Sequence, residues 1–174
     1  MPFERERSGN NIVLVGLMGA GKSTVGRELA SVLGFSFIDT DDELEHRMGV
    51  SISTIFDVEG EDGFRIRETK VIADMEDQKN AVISTGGGAV LRKENRDCLK
   101  NCGTVVYLSA TVETLYNRTK NSKKRPLLQG MEAKKTITQL LSDRNDLYME
   151  VADIVVETGN HTPKEMAKTI LGNL

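Results

Sequence analysis

The stretch Gly16-Leu17-Met18-Gly19-Ala20-Gly21-Lys22-Ser23 decides the fold of this chain of 174 residues. It follows an apolar run at residues 11–15 and precedes a segment whose apolar residues recur at helical spacing. A glycine-rich turn between a strand and a helix, ending in Lys-Ser, is typical of a loop whose backbone N–H groups cradle phosphates. The predicted phosphate-binding residues are Gly19, Ala20, Gly21, Lys22, Ser23 and Thr24. The ligand that this pattern indicates is a nucleoside triphosphate, with the Ser23 hydroxyl on its Mg²⁺.

Short apolar, β-branched runs recur along the rest of the chain, with helical stretches between them. The five predicted strands cover residues 11–15, 35–39, 81–85, 104–109 and 153–158. Continuous apolar runs of this kind are typical of buried parallel strands. Their alternation with helices predicts a three-layer α/β/α sandwich of the P-loop type around a five-stranded parallel sheet. The predicted helices after the second strand cover residues 42–48, 53–58, 64–75, 111–118, 133–151 and 163–171. We expect one domain over residues 1–174.

Composition limits the classes of protein that the chain can belong to. Its 23 Lys and Arg against 26 Asp and Glu give a net charge of −3, which argues against a nucleic-acid partner. No apolar run approaches the roughly 18 to 20 residues of a membrane span, and residues 1–10 resemble neither a signal nor a transit peptide. Cys98 and Cys102 indicate reduced thiols in a cytoplasmic protein, and His46 and His161 indicate ordinary surface residues. Nothing in the surface pattern demands a dimer, so we expect a monomer.

Two carboxylates follow the second predicted strand, at the edge where open α/β sheets bind their ligands. Alternation along a strand would aim Asp39 and Asp41 to the same side. One could lie near the metal, and the other could orient a hydroxyl that is to be phosphorylated and accept its proton. On this segment alone another interpretation stays open, in which Asp41 or Asp42 caps the next helix.

Arginines and glycines further along the chain could hold an acid. Arg65 and Glu68 lie three residues apart in a predicted helix beside Phe64, and a guanidinium fork held by a carboxylate suits capture of a carboxylate ligand. An exposed ion pair is the alternative. The glycines at residues 86–88 follow the third strand and weaken the local fold, so they favour close approach of a ligand to the backbone over a plain tight turn.

Residues 119–131 form a polar segment with little apolar periodicity, and we expect a mobile lid there. Arg125 in this segment could swing onto the phosphates and neutralise charge during phosphoryl transfer. The neighbouring lysines are more simply solvated. Arg144 lies on the long predicted helix 133–151, four residues before Tyr148.

In this order, the motifs resemble those of one family, the shikimate kinases, within the nucleoside-monophosphate-kinase group of phosphate-loop proteins. The resemblance spans nearly the whole chain, from about residue 11 to residue 171. The stretches that carry it are Gly16 to Ser23, Asp39-Thr40-Asp41, Gly60-Glu61 with Phe64-Arg65 and Glu68, Gly86-Gly87-Gly88, Arg125-Pro126-Leu127-Leu128, and Arg144 with Leu147-Tyr148 and Ala152-Asp153. The phosphate loop alone is generic, whereas the set in this order is specific.

The resemblance implies transfer of the ATP γ-phosphate to the 3-hydroxyl of shikimate, on the route to chorismate and the aromatic amino acids. It implies that Lys22 and the loop backbone hold the phosphates, and that Ser23 holds Mg²⁺ together with Asp39, the latter through water. Asp41 would bind the shikimate hydroxyls and orient the attacking one.

The resemblance also assigns the remaining residues of the site. Arg65 and Arg144 would hold the substrate carboxylate, Glu68 would steady Arg65, and Gly86, Gly87 and Gly88 would contact the ring hydroxyls. On the nucleotide side, Arg125 would close over the phosphates, and Arg118 with the region around Pro163 would border adenine.

Two other hypotheses stay open. The first is a kinase of the same fold that acts on another small hydroxy acid, such as gluconate. The second is a nucleotide-binding regulatory protein that has kept the fold and lost the chemistry. A shared set of six residues weighs against the second: Lys22, Asp39, Asp41, Arg65, Arg125 and Arg144.

Overall fold

The computed structural model describes residues 9–122 and 132–174. Within them, five strands form one parallel sheet in the order β2-β3-β1-β4-β5. The strands are β1 (Asn11–Val15), β2 (Ser36–Asp39), β3 (Ala81–Ser84), β4 (Gly103–Ser109) and β5 (Ile154–Glu157). All five predicted strands are confirmed, and each predicted end lies within one residue of the observed end.

The sheet places the loops after β1 and β3 side by side. β1 and β3 are buried along their whole length, as continuous apolar runs predict, whereas the edge strands β2 and β5 are partly exposed. Leu14 of β1 pairs with Ser84 of β3, so both strands end at the same level. The loops that follow therefore open at one edge of the sheet, where ligands of such folds bind.

Seven helices flank the sheet in the part of the chain that the structure describes, which completes the predicted three layers. They are α1 (Lys22–Leu33), α2 (Thr40–Met48), α3 (Ile52–Asp74), α4 (Lys93–Cys102), α5 (Val112–Thr119), α6 (Ala133–Val151) and α7 (Pro163–Asn173). α1 packs against α7, whereas α4 packs against α3 and α6. A short 3₁₀ helix, Met75–Asp77, follows α3.

The helix predictions are least accurate between β2 and β4. Separate helices at 53–58 and 64–75 were expected, but α3 runs through both and is interrupted only at Gly60, whose φ of 71° and ψ of −177° are not helical. Glycine adopts this conformation without a steric penalty. The prediction also omits α4, because its sequence is largely polar and only Asn95, Leu99 and Cys102 are buried.

Three other expectations concern the cysteines, the membrane and the lid. The Cys98 and Cys102 thiols are free, with their sulfur atoms 4.0 Å apart on one face of α4.

Across residues 9–122 and 132–174, none of the helices combines the length and apolar character that crossing a membrane requires. Most of the predicted lid, including Arg125, lies outside the described residues. Its first residue, Thr119, is instead the buried last residue of α5.

Candidate active site

The phosphate-binding loop lies between β1 and α1, as its sequence predicts. Gly19 and Gly21 have φ angles of 87° and 96°, which residues with a side chain rarely adopt. A Cβ atom on Gly19 would also lie 2.7 Å from Cγ2 of Thr119. α1 begins directly after these turns, at Lys22, so its N-terminal N–H groups face the loop. This arrangement attracts anions such as phosphate.

The ammonium group of Lys22 is held within the loop. Its Nζ atom donates to the carbonyl oxygens of Gly16 at 2.7 Å and Leu17 at 3.0 Å. The residue is only 8% exposed. A positive charge is therefore buried at the place where the phosphates of a nucleotide would lie.

The Asp39 carboxylate accepts hydrogen bonds both from the start of α2 and from Ser23 at the end of the phosphate loop. Its Oδ1 atom accepts from the backbone N–H groups of Asp41 at 2.9 Å and Asp42 at 3.2 Å. Its Oδ2 atom accepts from the Ser23 hydroxyl at 2.8 Å. α2 consequently begins at Thr40 with Asp39 as its cap, and the interpretation that Asp41 or Asp42 is the cap is wrong.

The Asp41 carboxyl lies between the phosphate loop and the glycines after β3. A Cβ atom on Gly86 would lie 2.8 Å from its Oδ1 atom. The pKa of Asp41 is raised from 3.8 to about 6, chiefly by burial and also by the charges of Asp39 and Glu68, while the charge of Lys22 opposes the rise. A carboxylate with this pKa is a stronger base than an ordinary aspartate, and it is still ionised at neutral pH.

The three glycines at 86–88 make room for side chains from three other elements. None of them has a positive φ, so close approach rather than unusual backbone geometry requires them. A Cβ atom on Gly87 would lie 3.5 Å from Nη1 of Arg144, and one on Gly88 would lie 2.4 Å from both Nη atoms of Arg65. Gly86 also accepts from the Ala89 N–H at 3.0 Å in a turn, so the close approach and the tight turn coexist.

Arg65 and Glu68 form a buried pair. Nη1 of Arg65 lies 2.8 Å from Oε1 of Glu68, and the guanidinium lies over the Phe64 ring at 5.0 Å from its centroid. Because the two side chains are only 12% and 2% exposed, the alternative of an exposed ion pair is wrong. Burial raises the pKa of Glu68, and the charges of Arg65 and Arg144 oppose that rise.

Two buried polar atoms of the Arg65–Glu68 pair form no hydrogen bond among the described residues. Nε of Arg65 and Oε2 of Glu68 are buried and have no hydrogen-bond partner among the residues that the structure describes. Buried polar atoms are otherwise nearly always paired in folded proteins. The arrangement suits a polar ligand between Arg65, Glu68 and the glycines.

A pocket of about 220 Å³ lies on the other side of the phosphate loop. The residues that line it include Ala20, Gly21, Thr24, Arg118, His161 and Pro163. Arg118 joins its two walls, since its guanidinium donates to the carbonyl oxygens of Ala20 at 3.1 Å and Gly159 at 2.9 Å. A nucleotide whose phosphates lie in the loop would reach this pocket with its base.

Two contacts near the site are not predicted from the sequence. His161 is exposed, as expected, but it also lines the pocket. His161 belongs to the loop before α7, and that loop ends at the N-cap Thr162 and the first helical residue Pro163. The hydroxyl of Tyr148 reaches the Gly87 carbonyl at 2.5 Å, a contact that depends on how α6 packs.

Known proteins share this sequence and this fold. The family model described as shikimate kinase matches residues 18–174. A shikimate kinase from Histophilus somni is 53% identical over 162 residues, covering 92% of this chain and 93% of the relative. A solved structure described as shikimate kinase from Acinetobacter baumannii in complex with shikimate is 46% identical with a TM-score of 0.91, covering 96% of this chain and 93% of that one.

The resemblance to gluconate kinases is weaker. A gluconokinase structure from Sinorhizobium meliloti has a TM-score of 0.60 and covers 96% of this chain and 92% of that one, but it is only 20% identical. At this identity the likeness concerns the fold alone. A family model that matches most of the chain, together with relatives near 50% identity, assigns the family. This chain belongs to the shikimate kinase family.

Proposed function

We propose that this chain transfers the γ-phosphate of ATP to the 3-hydroxyl of shikimate, giving shikimate 3-phosphate and ADP. The observation that carries the proposal is the position of Gly87. A Cβ atom there would lie 3.4 Å from the backbone nitrogen of Met18 in the phosphate loop and 3.5 Å from Nη1 of Arg144. The triple-glycine loop thus joins a phosphate site to a pair of arginines that can hold an acid.

The phosphate loop supports the ATP side of the proposal. Lys22 and the N–H groups at the start of α1 would bind the β- and γ-phosphates. The oxygens of Ser23 and Asp39, 2.8 Å apart, are the hard donors that Mg²⁺ prefers, so these two residues would hold the ion. Bound Mg²⁺ neutralises phosphate charge during transfer.

The buried arginines and Asp41 support the acceptor side. Arg65 and Arg144 would hold the shikimate carboxylate, and backbone at Gly86, Gly87 and Gly88 would contact the ring hydroxyls. Asp41 would then orient the 3-hydroxyl and take its proton as the oxygen attacks the γ-phosphorus and the bond to the β-γ bridging oxygen breaks. Its pKa of about 6 leaves it ionised for this step at neutral pH.

The lid and the adenine pocket complete the proposed site. Arg125 in the predicted lid would close over the phosphates and neutralise charge as transfer proceeds. Arg118 would border adenine in the pocket that also contains His161 and Pro163.

We also propose that the enzyme is a single domain over residues 1–174, works as a monomer and is cytoplasmic. The free thiols of Cys98 and Cys102 fit a reducing compartment that supplies ATP.

Release of ADP in a coupled assay tests the proposed function. MgATP is supplied with shikimate, with gluconate, or with no acceptor. We expect release that depends on shikimate and saturates with its concentration. ADP release that depends on gluconate would instead assign the chain as a gluconate kinase. Tight ATP binding without ADP release would support a regulatory protein.

A further inference from the structure

We propose that Tyr148 is a positioning residue for the acceptor, because its hydroxyl fixes Gly87 and Arg144 in the arrangement that the substrate carboxylate requires. The inference rests on the proposed function, in which Arg144 binds the carboxylate of shikimate. It adds a residue that touches neither reacting group and acts only through its neighbours.

The contacts of the Tyr148 hydroxyl point directly at the acid-binding residues. It donates a hydrogen bond of 2.5 Å to the carbonyl of Gly87, the glycine against which Arg144 lies. Burial raises the pKa of this hydroxyl, and the charge of the neighbouring Arg144 guanidinium opposes the rise. The hydroxyl therefore remains a protonated donor at neutral pH.

The ring that carries this hydroxyl is held rigidly. Tyr148 is fully buried, and its ring stacks on Tyr107 with the centroids 5.0 Å apart and the planes at 29°. Arg144 lies one helical turn earlier on α6, so the arginine and the tyrosine share one face. Burial and stacking therefore restrict the movement of the Tyr148 ring.

A purely structural role would not need the hydroxyl at this place. Phenylalanine fills almost the same volume, and burying a phenol hydroxyl is unfavourable unless it is hydrogen-bonded. Here the bond goes to a loop that lines the ligand site rather than to a core element. Arginine side chains lose considerable freedom when they bind, so a residue that orders Arg144 beforehand strengthens ligand binding.

Steady-state kinetics of Tyr148→Phe test the inference, with Tyr107→Phe as the matched control. Tyr107 belongs to the same stacked pair, but its hydroxyl donates to Asn145 at 3.1 Å and not to the glycine loop. We expect Tyr148→Phe to raise the KM for shikimate about tenfold, with the KM for ATP unchanged, since one hydrogen bond is lost at the acid side only. Tyr107→Phe should leave both KM values near the parental ones. An equal change in both variants, or a parental KM for shikimate in Tyr148→Phe, would overturn the proposal.

A second variant separates positioning from packing. On an Arg144→Ala background, Tyr148→Phe should raise the KM for shikimate less than it does in the parental sequence, because part of its effect passes through the arginine. Full additivity of the two changes would contradict this relation.

A measurement on the parental sequence covers the case in which Tyr148→Phe does not fold. The chain has three tyrosines, so fluorotyrosine labelling gives three ¹⁹F signals, which Tyr107→Phe and Tyr116→Phe assign. Saturating shikimate should shift the Tyr148 signal most. If the enzyme phosphorylates shikimate and this signal does not move, the inference fails while the proposed function stands. If shikimate is no substrate, both fail.

Discussion

The two sides of the site are built differently, although they meet at Gly87. The phosphate side is one contiguous stretch, residues 16–24, and it offers mainly backbone N–H groups and one lysine. The acid side collects Asp41 from α2, Arg65 from α3 and Arg144 from α6, and it offers buried side-chain charges. Local turns, with the Lys22 ammonium bonded to the Gly16 and Leu17 carbonyl oxygens, fix the first side, whereas packing between separate helices fixes the second.

This difference decides where the site responds to pH. On the acid side, burial raises the pKa values of Asp41 and Glu68, and the two carboxyls repel each other around Gly86. Perturbed carboxyls of this kind are typical of functional sites.

Because each side of the site binds a different substrate in the proposed function, a substitution on one side should change the kinetics of one substrate. The other substrate then serves as an internal control.

The largest expected effect comes from Asp41→Asn. Loss of the carboxylate should lower kcat by about 10² to 10⁴ while ATP still binds, because a general base is removed and the phosphate loop is left intact. Coupled ADP release and calorimetric titration with ATP measure the two quantities. Asp42→Asn is the control, since this neighbour on the same turn has an exposed side chain. Parental turnover in Asp41→Asn would remove Asp41 from the proposed chemistry.

Removal of the guanidinium of Arg65 should have the next largest effect. Arg65→Ala should lower kcat/KM for shikimate about 10- to 150-fold, since a charge-assisted contact contributes about 1.5 to 3 kcal/mol. The KM for ATP should not change. Arg67→Ala is the control on the same helix, because Arg67 forms a partly exposed ion pair with Glu59. Unchanged shikimate kinetics in Arg65→Ala would place the acid elsewhere.

A pair of glycine substitutions tests the comparison from both sides. Gly88→Ala should raise the KM for shikimate about tenfold, because its Cβ would lie 2.4 Å from the Arg65 guanidinium. Gly19→Ala should instead raise the KM for ATP, because its φ of 87° disfavours a side chain. Gly172→Ala meets no atom within 4 Å and should change neither. An effect of Gly88→Ala on ATP alone would reverse the assignment of the two sides.

The smallest expected effect is a change of stability with pH. Between pH 3.8 and about 6 the native Asp41 binds a proton that the unfolded chain has lost, so its contribution to stability falls as the pH rises through this window. Asp41→Asn should therefore be more stable than the parent at pH 8, by about 1 to 3 kcal/mol, and equal to it near pH 3, below both pKa values. Urea unfolding at the two pH values measures this. A stabilisation that is the same at both would show that the charge of Asp41 is not its cause.

The same comparison explains how much could be predicted from the sequence. The strands and the phosphate loop depend on local patterns, so their positions were predicted almost to the residue. The N-cap residue of α2 was not predicted. Three acidic or hydroxyl side chains follow Asp39, and the pattern does not say which carboxylate accepts from the N–H groups of the first turn. The i, i+3 spacing placed Arg65 beside Glu68, but only packing shows that the pair is buried.

Other parts of the site depend on contacts between distant segments. Tyr148 meets Gly87 across 61 positions of the chain, and no local pattern carries that contact. α4 was missed because a polar helix that buries few residues has little apolar periodicity. The lid, including Arg125, remains a prediction.

Calorimetric titration with shikimate in the absence of nucleotide tests the central claim, that the acid side binds its substrate through its own buried charges. The parent, Arg144→Ala and Lys22→Ala are compared at pH 8. We expect Arg144→Ala to weaken shikimate binding at least tenfold and Lys22→Ala to bind it within twofold of the parent. Parental affinity in Arg144→Ala, with a large loss in Lys22→Ala, would contradict the account.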